Sequence, residues 1–201
     1  MFDLAQVAVA CGGFLTAFEA LLGTAGVLLA GAIAAVIVAA VLNNGFFSAP
    51  ASPAAMVTAG LLAAAAAAAL AVAKGQADSF FQCMGAPPAC AGALSNLLNA
   101  LTALITVLGI EATACFVAAG FAWIPWAGAA PMYVILAALI IEAVLVPTLI
   151  AFAVTLVSCA QHAATASSSS PLITAGSLIA IALVAAVART FLQKARVRAG
   201  R

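Results

Sequence analysis

Charge is what this chain of 201 residues has least of: six Lys or Arg, five Asp or Glu and one His, with 5% of residues charged. An ordinary soluble domain is about 25% charged, so this sequence cannot clothe a globular surface in water. A formal net charge of +1 also excludes a nucleic-acid partner, because no cationic tract is present to follow a phosphate backbone. The residue sets of enzyme chemistry are missing as well. His162 is the single histidine, and the chain holds no HExxH, no phosphate-binding glycine loop and no CxxCH. Haem or copper ligation would need histidines from another chain. The sequence therefore reads as a non-enzyme that carries no cofactor and no metal.

What is present is apolar. Hydrophobic residues make up 68% of the chain and its mean hydropathy is +1.31, which excludes intrinsic disorder. The fold class expected is all-α: a polytopic integral membrane helical bundle whose surroundings are the lipid bilayer. Crossing the hydrocarbon takes roughly 20 apolar residues, and runs of about that length or more cover 15–42, 54–73, 98–120, 132–156 and 172–188. They lack the polar alternation of a barrel strand, so helices are the spanning form. Asn43, Asn44 and Gly45 close the first run, Pro53 and Lys74-Gly75 bracket the second, and Pro171 and Arg189 bracket the fifth. Residues 2–11, set off by Gly12-Gly13, form either a short interfacial helix or an extension of the first span; without a basic n-region they do not resemble a cleaved signal. The whole chain reads as a single membrane domain, 1–201, ending in a basic tail, 189–201.

That tail fixes the expected orientation. Arg189, Lys194, Arg196, Arg198 and Arg201 are five of the six basic residues, and positive charge stays on the cytoplasmic, matrix or stromal side. Five spans then put the N-terminus outside and the C-terminus inside. The membrane would be a bacterial plasma membrane or an organellar inner membrane. In this arrangement Cys11, Cys83, Cys90 and Cys159 all fall near the outer, oxidising side, and only Cys115 lies within a span. The turn-rich stretch between Cys83 and Cys90 suggests a local bond between these two, leaving Cys11 to pair with Cys159.

Two ionisable residues stand out. Glu111 and Glu142 each interrupt an apolar span, where a charged carboxylate costs roughly 2.5–3.5 kcal/mol on insertion scales. Each lies about two residues from its span midpoint, roughly 3 Å along the axis. The spans run in opposite directions, so both offsets point to the same membrane side and the carboxyls share one depth. Facing each other, they would share a proton or hold a cation. Pro147 has no N–H for the carbonyl of Ala143, which should kink the fourth span beside Glu142. Thr113, Cys115 and Thr148 are the nearby polar groups in sequence. Lys74 and Asp78, four apart, suggest a loop or frayed-helix pair, and Glu19 an interfacial position.

The run Ile141-Glu142-Ala143-Val144-Leu145, continuing to Leu149-Ile150-Ala151-Phe152, resembles the ion-binding outer helix of rotary ATP synthase proteolipid subunits. Phe18-Glu19-Ala20 and Ile110-Glu111-Ala112 echo its start. The glycine-repeat helix and the polar Arg-(Gln/Asn)-Pro loop of that family are missing, so its function is not carried over to this chain.

Function at this level divides three ways. Connections 43–53, 121–131 and 158–170 hold no Asp, Glu, Lys or Arg, and small residues abound: seven alanines at 63–69 and the pairs Gly26/Ala30, Gly31/Ala35 and Gly176/Ala180. These favour a non-catalytic accessory or structural subunit of a larger membrane protein complex, energy-transducing complexes among them, with other membrane subunits as partners. The alternative is a small proton- or cation-conducting protein that uses the intramembrane glutamates. A tetraspan-like scaffold with a disulfide-bearing outer end is the third.

Overall fold

The computed structural model describes residues 4–42, 53–85, 88–122, 124 and 129–163. Helices α1 (Leu4–Leu42), α2 (Pro53–Cys83), α3 (Ala91–Gly120) and α4 (Ala129–Ala163) make up nearly all of this, with a 3-10 turn at Pro88–Cys90 ahead of α3. No strand occurs among the described residues. All four helices are long and apolar enough to cross a membrane. The expected fifth span, 172–188, and the basic tail lie outside the described residues.

The helices run longer than the apolar segments within them. At 1.5 Å per residue, α2 and α3 are each about 45 Å long and α4 about 52 Å, against roughly 30 Å of hydrocarbon. Lys74-Gly75 was expected to stop the second span, but α2 continues through both to Cys83. A helical glycine costs only about 1 kcal/mol, and the Lys74 Nζ finds a partner on α3, donating to Thr102 Oγ1 at 2.8 Å. Asp78 accepts from Gln82 at 2.8 Å instead of pairing with Lys74. At the N-terminus α1 passes unbroken through Gly12-Gly13, so the leading segment extends the first span. Likewise α4 reaches Ala163, which makes His162 helical where a connection was expected from residue 158.

Neighbours in sequence are neighbours in space: α1 packs on α2, α2 on α3 and α3 on α4. The buried positions repeat at alternating steps of three and four. On α2 they are Met56, Ala59, Ala63, Ala66, Leu70, Ala73 and Ala77; on α3 they are Leu94, Leu97, Leu101, Leu104, Leu108, Glu111, Cys115 and Ala118. This spacing is the signature of slightly tilted, left-handed helix packing. The α1 seam (Ala25, Leu29, Ala32, Val36, Ala39) runs between the Gly26/Ala30 and Gly31/Ala35 pairs and uses alanine for close approach. Gly31 supports the same contact, since a Cβ there would sit 3.2 Å from Leu62 Cδ1 on α2.

Disulfides close one end. Cys11 is bonded to Cys83 and Cys90 to Cys159, each with Cα atoms 5.8 Å apart. The four cysteines expected on the outer side are thus paired, but not as expected: neither a Cys83–Cys90 nor a Cys11–Cys159 bond forms. The reason is the extra length of α2. It carries Cys83 to the start of α1, while Cys90 opens α3 beside the end of α4, so each bond staples two antiparallel helices. Cys115 is the free, buried thiol.

Candidate functional site

Buried apolar residues fall into two large clusters stacked along the bundle. One includes Phe18 to Ala32 of α1, Ala63 to Phe81 of α2, Leu94 to Ala112 of α3 and Leu149 to Leu156 of α4. The other holds Val36 and Ala39, Met56 and Ala59, Ala114 to Ala118, and Met132 with Ile135. Glu111 and Glu142 sit at the level where the two meet. Both occupy positions in the buried seams, and their exposures are 0% and 2%.

The seam geometry sets this placement. On α3 the leucine ladder 94, 97, 101, 104, 108 reaches Glu111 at its next step. On α4, Ile135 and Ala138 precede Glu142 on the buried side, with Leu149 and Ala153 beyond. Because α3 and α4 are antiparallel neighbours, the carboxyls come within hydrogen-bonding reach of each other. Measured from the ends away from the disulfides, Glu111 lies about 14 Å and Glu142 about 20 Å along its helix, distances comparable to half of a hydrocarbon layer roughly 30 Å thick.

All four carboxyl oxygens are buried without a hydrogen-bond donor among the described residues. As two carboxylates the groups would only repel; with one proton between them they form a hydrogen bond. The Cys115 thiol, one turn from Glu111, is buried close enough to feel both carboxyls. Thr113 and Thr148 do not join the site, because their hydroxyls donate to Gly109 and Val144 carbonyls of their own helices at 2.8 Å. Pro147 lies on an exposed face of α4, and the helix continues through it. Its effect on the Ala143 carbonyl is therefore felt away from the glutamates, since Ala143 is exposed too.

The third wall is α2. A Cβ on Gly60 would meet the Phe116 ring at 3.1 Å and the Ala112 carbonyl oxygen at 3.2 Å, so glycine lets α2 and α3 touch one residue from Glu111. Cys115 is legible in the sequence as a polar neighbour of Glu111, whereas nothing but its small size marks Gly60. No group of three or more His, Cys, Asp or Glu suited to a metal occurs among the described residues.

Fold and site together define an antiparallel bundle of membrane-length helices around a buried carboxyl pair. No protein-family model matches the chain, and neither a curated protein nor a solved structure does.

Proposed function

We propose that the protein is a multi-pass membrane protein whose working element is a proton shared by Glu111 and Glu142. The observation that carries this reading is the burial of four facing carboxyl oxygens with no other donor among the described residues. A proton fits better than a metal cation. Calcium takes six to eight oxygens and magnesium near-ideal octahedral geometry, whereas this site offers two carboxyls amid alanine, leucine and one thiol. The protein then belongs with small proton-handling membrane proteins or with the subunits of an assembly that uses such a site.

The disulfides support an orientation with the Cys11/Cys83 end on the oxidising side, and the basic tail supports placing the C-terminus opposite. Together these imply a fifth span at 172–188 within a single membrane domain, in a bacterial plasma membrane or an organellar inner membrane. The second reading, a non-catalytic subunit of a larger membrane complex, is favoured by one feature of α2. Ala64, Ala65 and Ala68 of the alanine run are exposed, leaving a flat small-residue face for a partner helix.

A hydrophobic carbodiimide, which adds to protonated carboxyls in apolar surroundings, tests the first reading. It should label Glu111 or Glu142 in the membrane-embedded protein, and Glu111→Gln and Glu142→Gln should each remove the shared-proton infrared band. Absence of labelling, together with an infrared spectrum showing two ionised carboxylates, would defeat it.

A further inference from the structure

Away from the glutamates, a groove of about 370 Å³ opens between α2 and α3 toward the disulfide end. Lys74, Ser95, Asn99 and Thr102 supply its polar lining, and Phe81 and Leu98 its apolar flanks. We propose that this groove binds the phosphate of an anionic phospholipid headgroup, in the leaflet on the disulfide side.

Depth is the first argument. Lys74 lies 21 residues beyond Pro53, and Asn99 lies 21 residues before Gly120. Both distances are about 32 Å along the helix, the far boundary of a hydrocarbon layer roughly 30 Å thick. Headgroup phosphates sit just beyond that boundary.

Charge is the second. Lys74 makes no salt bridge among the described residues: Asp78, one turn along α2, is held by Gln82, and Glu19 on α1 is not among the groove's residues. The Lys74 ammonium spends one N–H on Thr102 Oγ1 at 2.8 Å. Thr102 in turn donates its own proton to the Leu98 carbonyl at 2.7 Å, so its oxygen can only accept from the lysine. An ammonium carries three donors, which leaves two for an anion, with the Ser95 hydroxyl and Asn99 amide alongside as further donors. An anion here would be contacted by charge and by hydrogen bonds at once.

The level of the groove decides the source of the phosphate. Lys74 and Thr102, which line it, stand at the edge of the hydrocarbon by the count above, where a lipid phosphate is held in place by its own acyl chains and a free phosphate ion is not. The groove is open at the level where lipids already stand, so the ligand needs no path through the bundle.

The test compares the full chain in nanodiscs of phosphatidylcholine with and without phosphatidylglycerol, reading lipid retained after extraction by native mass spectrometry and the thermal midpoint. Phosphatidylglycerol should be retained preferentially and should raise the midpoint. Lys74→Gln should weaken retention roughly fivefold, the factor for about 1 kcal/mol per basic residue at a membrane surface, and Lys74→Arg should preserve it. The double variant Ser95→Ala with Asn99→Ala keeps the lysine and changes only exposed positions. It should also lose retention, and it decides the matter if Lys74→Gln does not fold. Equal retention by wild type and either neutralised site would overturn the proposal. So would an equal rise in midpoint when inorganic phosphate is added to phosphatidylcholine nanodiscs, which would assign the groove to a water-borne anion.

Discussion

At the disulfide end, α2 and α3 carry Lys74, Asp78, Gln82, Ser95 and Asn99, and the polar contacts there are made one pair at a time. Lys74 reaches Thr102, and Asp78 takes Gln82. In the other half of the bundle, Glu111 and Glu142 are the only charged types among the described residues, and each has the other as its one polar counterpart besides the Cys115 thiol. Near water a side chain can find its own partner or a solvent molecule. At mid-depth nothing is on offer except what the neighbouring helix brings, so the requirement falls on helix rotation and register. The polar end tolerates local change; the glutamate level ties two helices together.

The largest effect should come from the clamped end. Each disulfide closes about 70 residues of chain (separations 72 and 69), worth about 4 kcal/mol by loop-closure entropy. Replacing Cys11 and Cys83 by Ser should therefore lower the thermal midpoint more than any single change at the glutamates. Mass spectrometry of unreduced peptides should recover Cys11 with Cys83 and Cys90 with Cys159; a Cys83–Cys90 peptide would break the comparison at its root.

Next comes the mid-depth pair. Glu111→Leu strands the Glu142 carboxyl in an apolar seam and should cost about 1–3 kcal/mol, the penalty of a buried polar group without its partner. The double variant Glu111→Leu with Glu142→Leu should recover much of that loss. A double-mutant cycle in detergent measures the coupling, and strict additivity would mean that the two groups act independently.

Gly60→Ala sharpens the same contrast from α2. The new methyl must displace the Phe116 ring and presses on the Ala112 carbonyl, an overpacking cost of about 1 kcal/mol or somewhat more. Gly26→Ala is the matched control: nothing lies within 4 Å of its Cβ, so its effect on the midpoint should be close to zero or stabilising through helix propensity. The smallest signal is chemical. Cys115 is fully buried and should resist alkylation in the folded protein, reacting only after denaturation.

Reading the chain from its residues put the end of the first helix at Leu42, where it is, and the end of the second ten residues short of Cys83. Lys74-Gly75 looked like a stop, yet Thr102 on another helix lets α2 pass through. That four cysteines gather at one end was legible from span counting, whereas their pairing depended on how far α2 extends. In α3 the glutamate's inward position had a usable signal: leucines at 94, 97, 101, 104 and 108 step by three and four toward 111. On α4 the corresponding ladder is hidden, because Ile140, Ile141 and Val144 are as apolar as the buried residues yet exposed.

The sequence alone determined that this chain is helical and apolar enough to cross a membrane, that two carboxyls share a depth, and that four cysteines gather at one end. Those follow from composition and from distances counted along helices of known rise. Tertiary structure alone decided which cysteine meets which, that Glu111 and Glu142 turn toward each other while Thr113, Thr148 and Pro147 turn away, and that Lys74 opens onto a groove. The physical reason is that lipid-facing and protein-facing surfaces of these helices are equally hydrophobic. Water imposes a polar face on a soluble helix and so writes its rotation into the sequence. In an apolar bundle, rotation is set by shape, through the alanine seams, the missing Cβ of Gly60 and the reach of each helix to its neighbour.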